Sequence, residues 1–264
     1  MNRSTREMDT KYWDGMARGY EKEIFSVLHI DERGLIRETL RRIASKKDTV
    51  ADIGCGIGHF LPLLSELFGR VYANDISRGL LERAKDDHGK LSNISFLHGD
   101  IRTVFKKFPK VDCAVSVNSL ISSSVAIRHR MLSAIAAILK SRGHFVLVVP
   151  SLESSFFVDV RFAQWKWKDG MDRSRAVRSV YPGDPSADHK ARQGVLAIDG
   201  VATKHYLREE LQLLLVEAGF KVLEIRKVEY SWDTELDKPP RWMREPYPWD
   251  WFVVAQRTGR KQCF

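Results

Sequence analysis

The sequence predicts an α/β fold built on a largely parallel sheet, and three observations predict it. Over residues 48–150, short β-branched runs alternate with helical stretches. The first run ends in a glycine-rich turn, "VADIGCGIGHF" at residues 50–60. The next three runs each end on a polar residue: Asp75, Asp100 and Asn118. Strands alternating with helices imply parallel strands joined by right-handed crossovers. Such sheets bind ligands at the carboxyl ends of their strands, where all four features fall.

The elements follow in order. Residues 1–47 read as a helical N-terminal cap ahead of the first strand. The strands of the central block are "TVADI", "RVYAND", "ISFLHGD", "VDCAVSVN" and "HFVLVVP", and the helices are "FLPLLSELF", "SRGLLERAKDDH" and "AIRHRMLSAIAAILK". Pro62 falls near the first turn of its helix, where a missing N–H matters least. Gly69 and Gly143 read as punctuation between helix and strand. Residues 151–204 carry no clear period, contain the turn-rich "YPGDPSADH", and read as an inserted lid. Residues 205–264 return to order, with the amphipathic helix "HYLREELQLLLVEAGF" closed by Gly219 and the strands "KVLEIRKVEY" and "WDWFVVAQR". All seven tryptophans lie outside residues 48–150, so the flanks have a different task from the central block.

Composition narrows the class. The chain has 264 residues, 44% hydrophobic and 29% charged, enough for one large α/β domain. No apolar run reaches the roughly 18 residues of a membrane span. The start, "MNRSTREMDTKYWDGM", lacks the apolar stretch of a signal peptide. Cys55, Cys113 and Cys263 are odd in number and far apart. That argues against a disulfide framework or a metal site and fits a reducing cytoplasm. The net charge of +9 permits an anionic partner such as RNA, but Lys and Arg are interspersed with acids, which reads as a solvated basic surface.

The glycine turn fits some nucleotides better than others. Glycine permits positive φ and close approach of a ligand. A dinucleotide fingerprint requires Gly or Ala where His59 stands, and a phosphate loop requires a Gly-Lys-Ser/Thr that is missing. Asp52, just before the turn, opposes a pyrophosphate but suits an ammonium or sulfonium group. Asp75, about twenty residues on, reads either as an acceptor for both ribose hydroxyls or as a cap on the next helix. Asp100 reads as a partner for an adenine amino group or as a turn residue, and Asn118 joins them at the same edge.

Together "VADIGCGIG", "YANDIS", "HGDI" and "VSVNSL" resemble the class I S-adenosylmethionine-dependent methyltransferases, closely over residues 48–150 and fairly over 203–257. The resemblance implies a Rossmann-like, seven-stranded sheet in the order 3-2-1-4-5-7-6, with strand seven antiparallel, helices on both faces and S-adenosyl-L-methionine as cofactor. It implies that Gly54, Cys55, Gly56 and Gly58 wrap the methionine moiety and that Asp52 supports the turn. Asp75, with Ile76 beside it, would hold the ribose, Asp100 and the Ile101 backbone the adenine, and Asn118 the methionine end. The N-terminal "YWDGMARGY" is similar to helices that close over the cofactor in small-molecule members of this group. "NSLISSS" lacks the Asn/Asp-Pro-Pro-aromatic motif of enzymes acting on amide or exocyclic amino nitrogens, so adenine-N6 and glutamine methylation are disfavoured.

The expected reaction is methyl transfer to a small molecule presenting an oxygen, nitrogen, sulfur or carbon nucleophile. Its acceptor pocket would be walled by the N-terminal helix around Tyr12, Trp13 and Tyr20, by the segment 151–204 with Trp167, and by the loop 231–249 with Trp232. A base is needed only where the acceptor must lose a proton, and His205 and His189 are the candidates. The alternative partner is RNA. Residues 161–192 place eight Lys/Arg around Trp165 and Trp167, a pattern that can hold phosphates and stack bases or form a solvated helix with core tryptophans.

Overall fold

The computed structural model describes residues 8–17, 19, 27–31, 33–180, 190–198 and 200–259. Among the described residues, the helical segments α1 (Thr10–Met16), α2 (Val27–Ile30) and α3 (Leu35–Ile43) precede the sheet. The central block then runs β1 (Thr49–Ile53), α4 (Leu61–Leu67), β2 (Arg70–Asp75), α5 (Arg78–His88), β3 (Ile94–His98), α6 (Ile101–Val104), β4 (Val111–Val117), α7 (Val125–Ile138) and β5 (Leu139–Pro150). The remainder is α8 (Leu152–Lys168), α9 (Arg173–Val180), β6 (Val195–Ile198), β7 (Val201–Lys204), α10 (Arg208–Glu217), β8 (Phe220–Glu229) and β9 (Trp249–Arg257).

Seven strands form one sheet in the order β3-β2-β1-β4-β5-β9-β8, the first five parallel and β9 antiparallel to both its neighbours. With β8 and β9 in the places of the sixth and seventh strands, this is the order that the motifs imply. Period-two alternation builds a layer on each face. Ala51, Ile53, Phe145, Leu147 and Val149 point to one side, against Ile101 and Val104 of α6, Leu132 and Ile135 of α7, and Leu211 and Leu215 of α10. Val50, Val71, Val115, Val146 and Val148 point to the other, against Ile36 and Leu40 of α3 and Leu61 and Leu64 of α4.

Three expectations need correction. Gly143 does not stand between a helix and a strand. Helix α7 ends at Ile138, and β5 starts at Leu139 and runs through Gly143, with Arg142 at φ 65° and an irregular register beside Val111. The insertion is not aperiodic where it is described. Ser151 caps the 17-residue α8 by accepting from the Ser154 N–H, and α9 follows. Apolar side chains spread around α8 instead of forming one stripe, so no period shows in the sequence. Finally, β6 and β7 pair as a separate antiparallel hairpin. That hairpin is stitched to the exit of β4: Lys204 N–H donates to the Ile121 carbonyl at 2.9 Å and the Tyr206 hydroxyl to the Leu120 carbonyl at 2.6 Å. Among the described residues no helix is long and apolar enough to cross a membrane.

Candidate active site

The glycine turn after β1 is tied to the neighbouring strand β2. The Gly54 and Cys55 N–H groups donate to the Asn74 carbonyl at 2.8 and 3.0 Å, and the Gly56 N–H donates to Oδ2 of Asp75 at 2.8 Å. These donors are therefore turned toward β2 and away from any phosphate, which disfavours a dinucleotide on a physical ground. Gly54 has φ +73°, and a Cβ there would lie 2.4 Å from the Cβ of Ser119 on the β4 exit.

Asp75 proves to be neither a helix cap nor a loose end. Its Oδ1 accepts from the Ser77 N–H at 2.8 Å, while Ser77 is the residue that caps α5. Burial raises the Asp75 carboxyl, opposed by these backbone donors. Asp52 sits behind the turn, buried, and its Oδ2 has no hydrogen-bond partner among the described residues. Burial, reinforced by the charge of Asp75, pushes its carboxyl up to about 7. Asp100 caps α6 by accepting from the Arg102 N–H at 2.9 Å, and it is ion-paired with the Arg102 guanidinium. Burial alone would raise Asp100, but the Arg102 bonds hold it below the usual carboxylate range. Asn118 has φ 48°, a conformation rare outside glycine, and its Oδ1 is buried without a partner.

Asp75, Asp100 and Asn118 open onto one cavity of about 1210 Å³ at the carboxyl edge of the sheet. Small-molecule sites span about 300–1,000 Å³, so there is room for a nucleoside-sized ligand and a second molecule beside it. Gly54, Gly56, Asp75, Ile76, Asp100, Ile101 and Asn118 line it, with Tyr12 and Trp13 of α1 over one side. Helix α1 is anchored there by the Ser77 hydroxyl donating to Oδ1 of Asp14 at 2.6 Å and by Arg83 donating to the Ala17 carbonyl at 2.9 Å.

Other expected residues lie elsewhere. Asp52, Cys55 and Gly58 support the turn from behind and do not line the cavity. Trp167 is 39% exposed, off the cavity, with the Arg173 guanidinium stacked 3.8 Å from its ring centroid. Trp232 is fully buried against Phe157, and its Nε1 donates to the Arg244 carbonyl at 3.2 Å, so it is a core residue. Tyr20 and His189 lie outside the described residues. His205 does line the cavity, but burial pulls its imidazole down to about 4, which makes it a weak base. Its Nδ1 lies 3.1 Å from the Thr203 carbonyl.

Sequence reasoning named the segments 151–204 and 231–249 for the far wall, but not the residues that build it. Beyond Asn118 it is built by Ile198, Val201 and Thr203 of the hairpin and by Tyr230, Glu235 and Asp250 around the last two strands. One signal was available. Asp250 interrupts the apolar run "WDWFVVA", and an acid inside a buried strand needs a reason.

The comparisons with known proteins agree with this geometry. The methyltransferase domain family matches residues 50–143. No curated protein matches the sequence. Among solved structures, a chain from the complex of the Trm112 methyltransferase activator of Haloferax volcanii superposes with a TM-score of 0.60 at 18% identity, covering 97% of this chain and 98% of that one. A SAM-dependent methyltransferase from Methanosarcina mazei gives 0.58 at 17% identity, over 83% and 96%. The DhpI–SAH complex gives 0.59 at 16% identity, over 96% of each chain. Residues 50–143 thus match the methyltransferase domain family, and the chain as a whole has the fold of the SAM-dependent methyltransferase structures.

Proposed function

We propose that this protein is an S-adenosylmethionine-dependent methyltransferase that acts on a small molecule held at the far end of the cavity, between Asn118, the inserted hairpin and the residues around Asp250. The cofactor supplies an activated sulfonium methyl group, so the protein's work is to align an acceptor with it and exclude water. In this reading Asp75 and Ile76 hold the ribose, Asp100 and Ile101 the adenine, and Gly54, Gly56 and Asn118 the methionine end. Asp52 and the glycines behind the wall keep the turn in shape. The donor set fits such a cofactor: carboxylates and a carboxamide on successive strand ends, with Asn118 Oδ1 buried and partnerless.

The observation that carries the small-molecule reading is the wall that the inserted hairpin and the loop after β8 add to that far end. The hairpin supplies Ile198, Val201 and Thr203 to its wall, and the loop after β8 supplies Thr234 and Glu235. The RNA alternative loses support from the same segment that suggested it. Two of the aromatic rings of α8 are covered by the protein's own cations, Arg173 over Trp167 and Lys166 over Phe162 at 4.3 Å, which leaves those two less open to stacking with bases.

Calorimetry with S-adenosylhomocysteine, NAD and a mixed RNA tests the proposal. Binding of S-adenosylhomocysteine alone is expected. Salt-dependent RNA binding at physiological ionic strength would favour the nucleic-acid acceptor, and NAD binding without S-adenosylhomocysteine would overturn the cofactor assignment.

A further inference from the structure

The charge of the cavity is opposite to the charge of the molecule. The chain carries a net +9, yet the described cavity lining holds Asp9, Asp75, Asp100, Glu235 and Asp250 against a single guanidinium, Arg102, already paired with Asp100. Three of those acids belong to the nucleoside half. The other two, Glu235 and Asp250, stand at the acceptor end, where the described lining has no cationic side chain and where burial keeps His205 neutral at pH 7.

Asp250 is the unusual member. It is the second residue of β9, opposite Pro150 of β5 and Val228 of β8, and is only 4% exposed. Its contact with the Asn118 amide is long, 3.5 Å. Glu235, on the exposed cavity wall, accepts from the Tyr230 hydroxyl at 2.9 Å. A buried carboxylate whose one donor among the described residues is weak carries a large desolvation cost, which a cationic ligand would offset. Burial pushes Asp250 up to about 7; the Asn118 amide opposes this and the charge of Glu235 adds to it. A cation placed between Glu235 and Asp250 would relieve both their mutual repulsion and the missing hydrogen bonds.

We infer that Asp250, with Glu235 beside it, makes the acceptor end of the cavity a site for a cationic nitrogen, so that the acceptor is a small amine that gives up its proton to Asp250. This rests on the methyltransferase reading of the cavity. The step balances. The ammonium loses one proton to a carboxylate oxygen of Asp250, and the freed lone pair forms the new N–CH3 bond. The C–S bond breaks with its electrons kept by sulfur, and Asp250 later returns the proton to solvent. Asp250 is the proton acceptor and Glu235 a positioning residue.

The test compares two ligands by calorimetry at pH 7.5. S-Adenosylhomocysteine has a neutral sulfide at the reacting position. Sinefungin carries an ammonium group there, in place of the sulfonium methyl. The wild-type protein is expected to favour sinefungin by about tenfold or more, the scale of one charge-assisted hydrogen bond. Asp250→Asn should bring that ratio close to one and leave S-adenosylhomocysteine affinity unchanged. Glu235→Gln, at an exposed position that tolerates the change, should lower the ratio in part and gives the same reading should Asp250→Asn fail to fold. Equal loss of both ligands in Asp250→Asn would make Asp250 a holder of the cofactor's own α-ammonium group, and an unchanged ratio would put the acids out of reach of the reacting centre. Either result overturns the inference. A wild-type protein that binds neither ligand sinks the methyltransferase reading itself and takes this inference with it, a failure distinct from the other two.

Discussion

The carboxylate of Asp75 and the backbone of Gly56 are joined by a 2.8 Å hydrogen bond, so the end of β2 holds the glycine turn that follows β1. One side chain thereby shapes the turn and faces the cavity. Asp75→Ala removes the acceptor of the Gly56 and Ser77 N–H bonds and, in the cofactor reading, the charged acceptor of the ribose hydroxyls, worth about 1.5–3 kcal/mol in binding. Affinity for S-adenosylhomocysteine should fall about 10- to 100-fold. The free protein should also melt lower, because the turn loses its tie as well. Calorimetry and thermal melts read the two effects separately, and unchanged affinity would remove Asp75 from the cofactor site.

Gly54 and Gly200 share a positive φ, +73° and +79°, but differ in what surrounds them. A Cβ at Gly54 meets Ser119 at 2.4 Å, whereas at Gly200 nothing lies within 4 Å. Gly200→Ala should cost about 1–2 kcal/mol, the left-handed backbone strain alone. Gly54→Ala should cost about 1–3 kcal/mol more through overpacking and should abolish cofactor binding. Equal denaturation midpoints for the two variants would show that the β1 turn yields more easily than its contacts indicate.

Trp232 and Trp167 should separate in the opposite sense to a common role in the pocket. Trp232→Ala empties a fully buried site and should destabilise the fold by about 3–5 kcal/mol. Trp167→Ala, at a half-exposed ring whose main described partner is Arg173, should change stability by less than about 1 kcal/mol and leave S-adenosylhomocysteine affinity unaltered. A large loss of ligand affinity in Trp167→Ala, with the fold intact, would return that residue to the site.

The pH dependence of stability follows from Asp250, raised in the folded state to about 7 from about 3.9 when unfolded. For a carboxyl raised on folding, the contribution to stability is fully present below the unfolded value and is lost as pH rises through about 7. Asp250→Asn removes that loss. The melting temperature of the variant relative to wild type should therefore climb between pH 5 and pH 8, with the variant the more stable at pH 8. His205, pulled down to about 4, acts in the opposite direction in both proteins and cancels in the difference. A constant gap across this range would mean that Asp250 is already stabilised as an anion in the free protein.

Local chemistry made the central block legible. β1 and β2 span the residues read as strands, Thr49–Ile53 and Arg70–Asp75, because a mostly buried parallel strand is largely apolar and ends at a turn. The glycine turn and the acids at the strand ends were legible for the same reason, since the demands of backbone conformation and charge act over a few residues. Helix α8 was hidden because its burial is shared among several neighbours and leaves no single apolar stripe.

The partners of each side chain were decided only by the tertiary structure. Nothing local distinguishes Trp232, buried against Phe157, from Trp167, left outside under Arg173. Nothing local places Asp250 within reach of Asn118, 132 residues away in sequence and two strands over in the sheet. Burial, desolvation and the meeting of like charges arise from chain crossings, so the cofactor half of the site could be read along the chain, while the acceptor half came into being only when β9 slotted between β5 and β8.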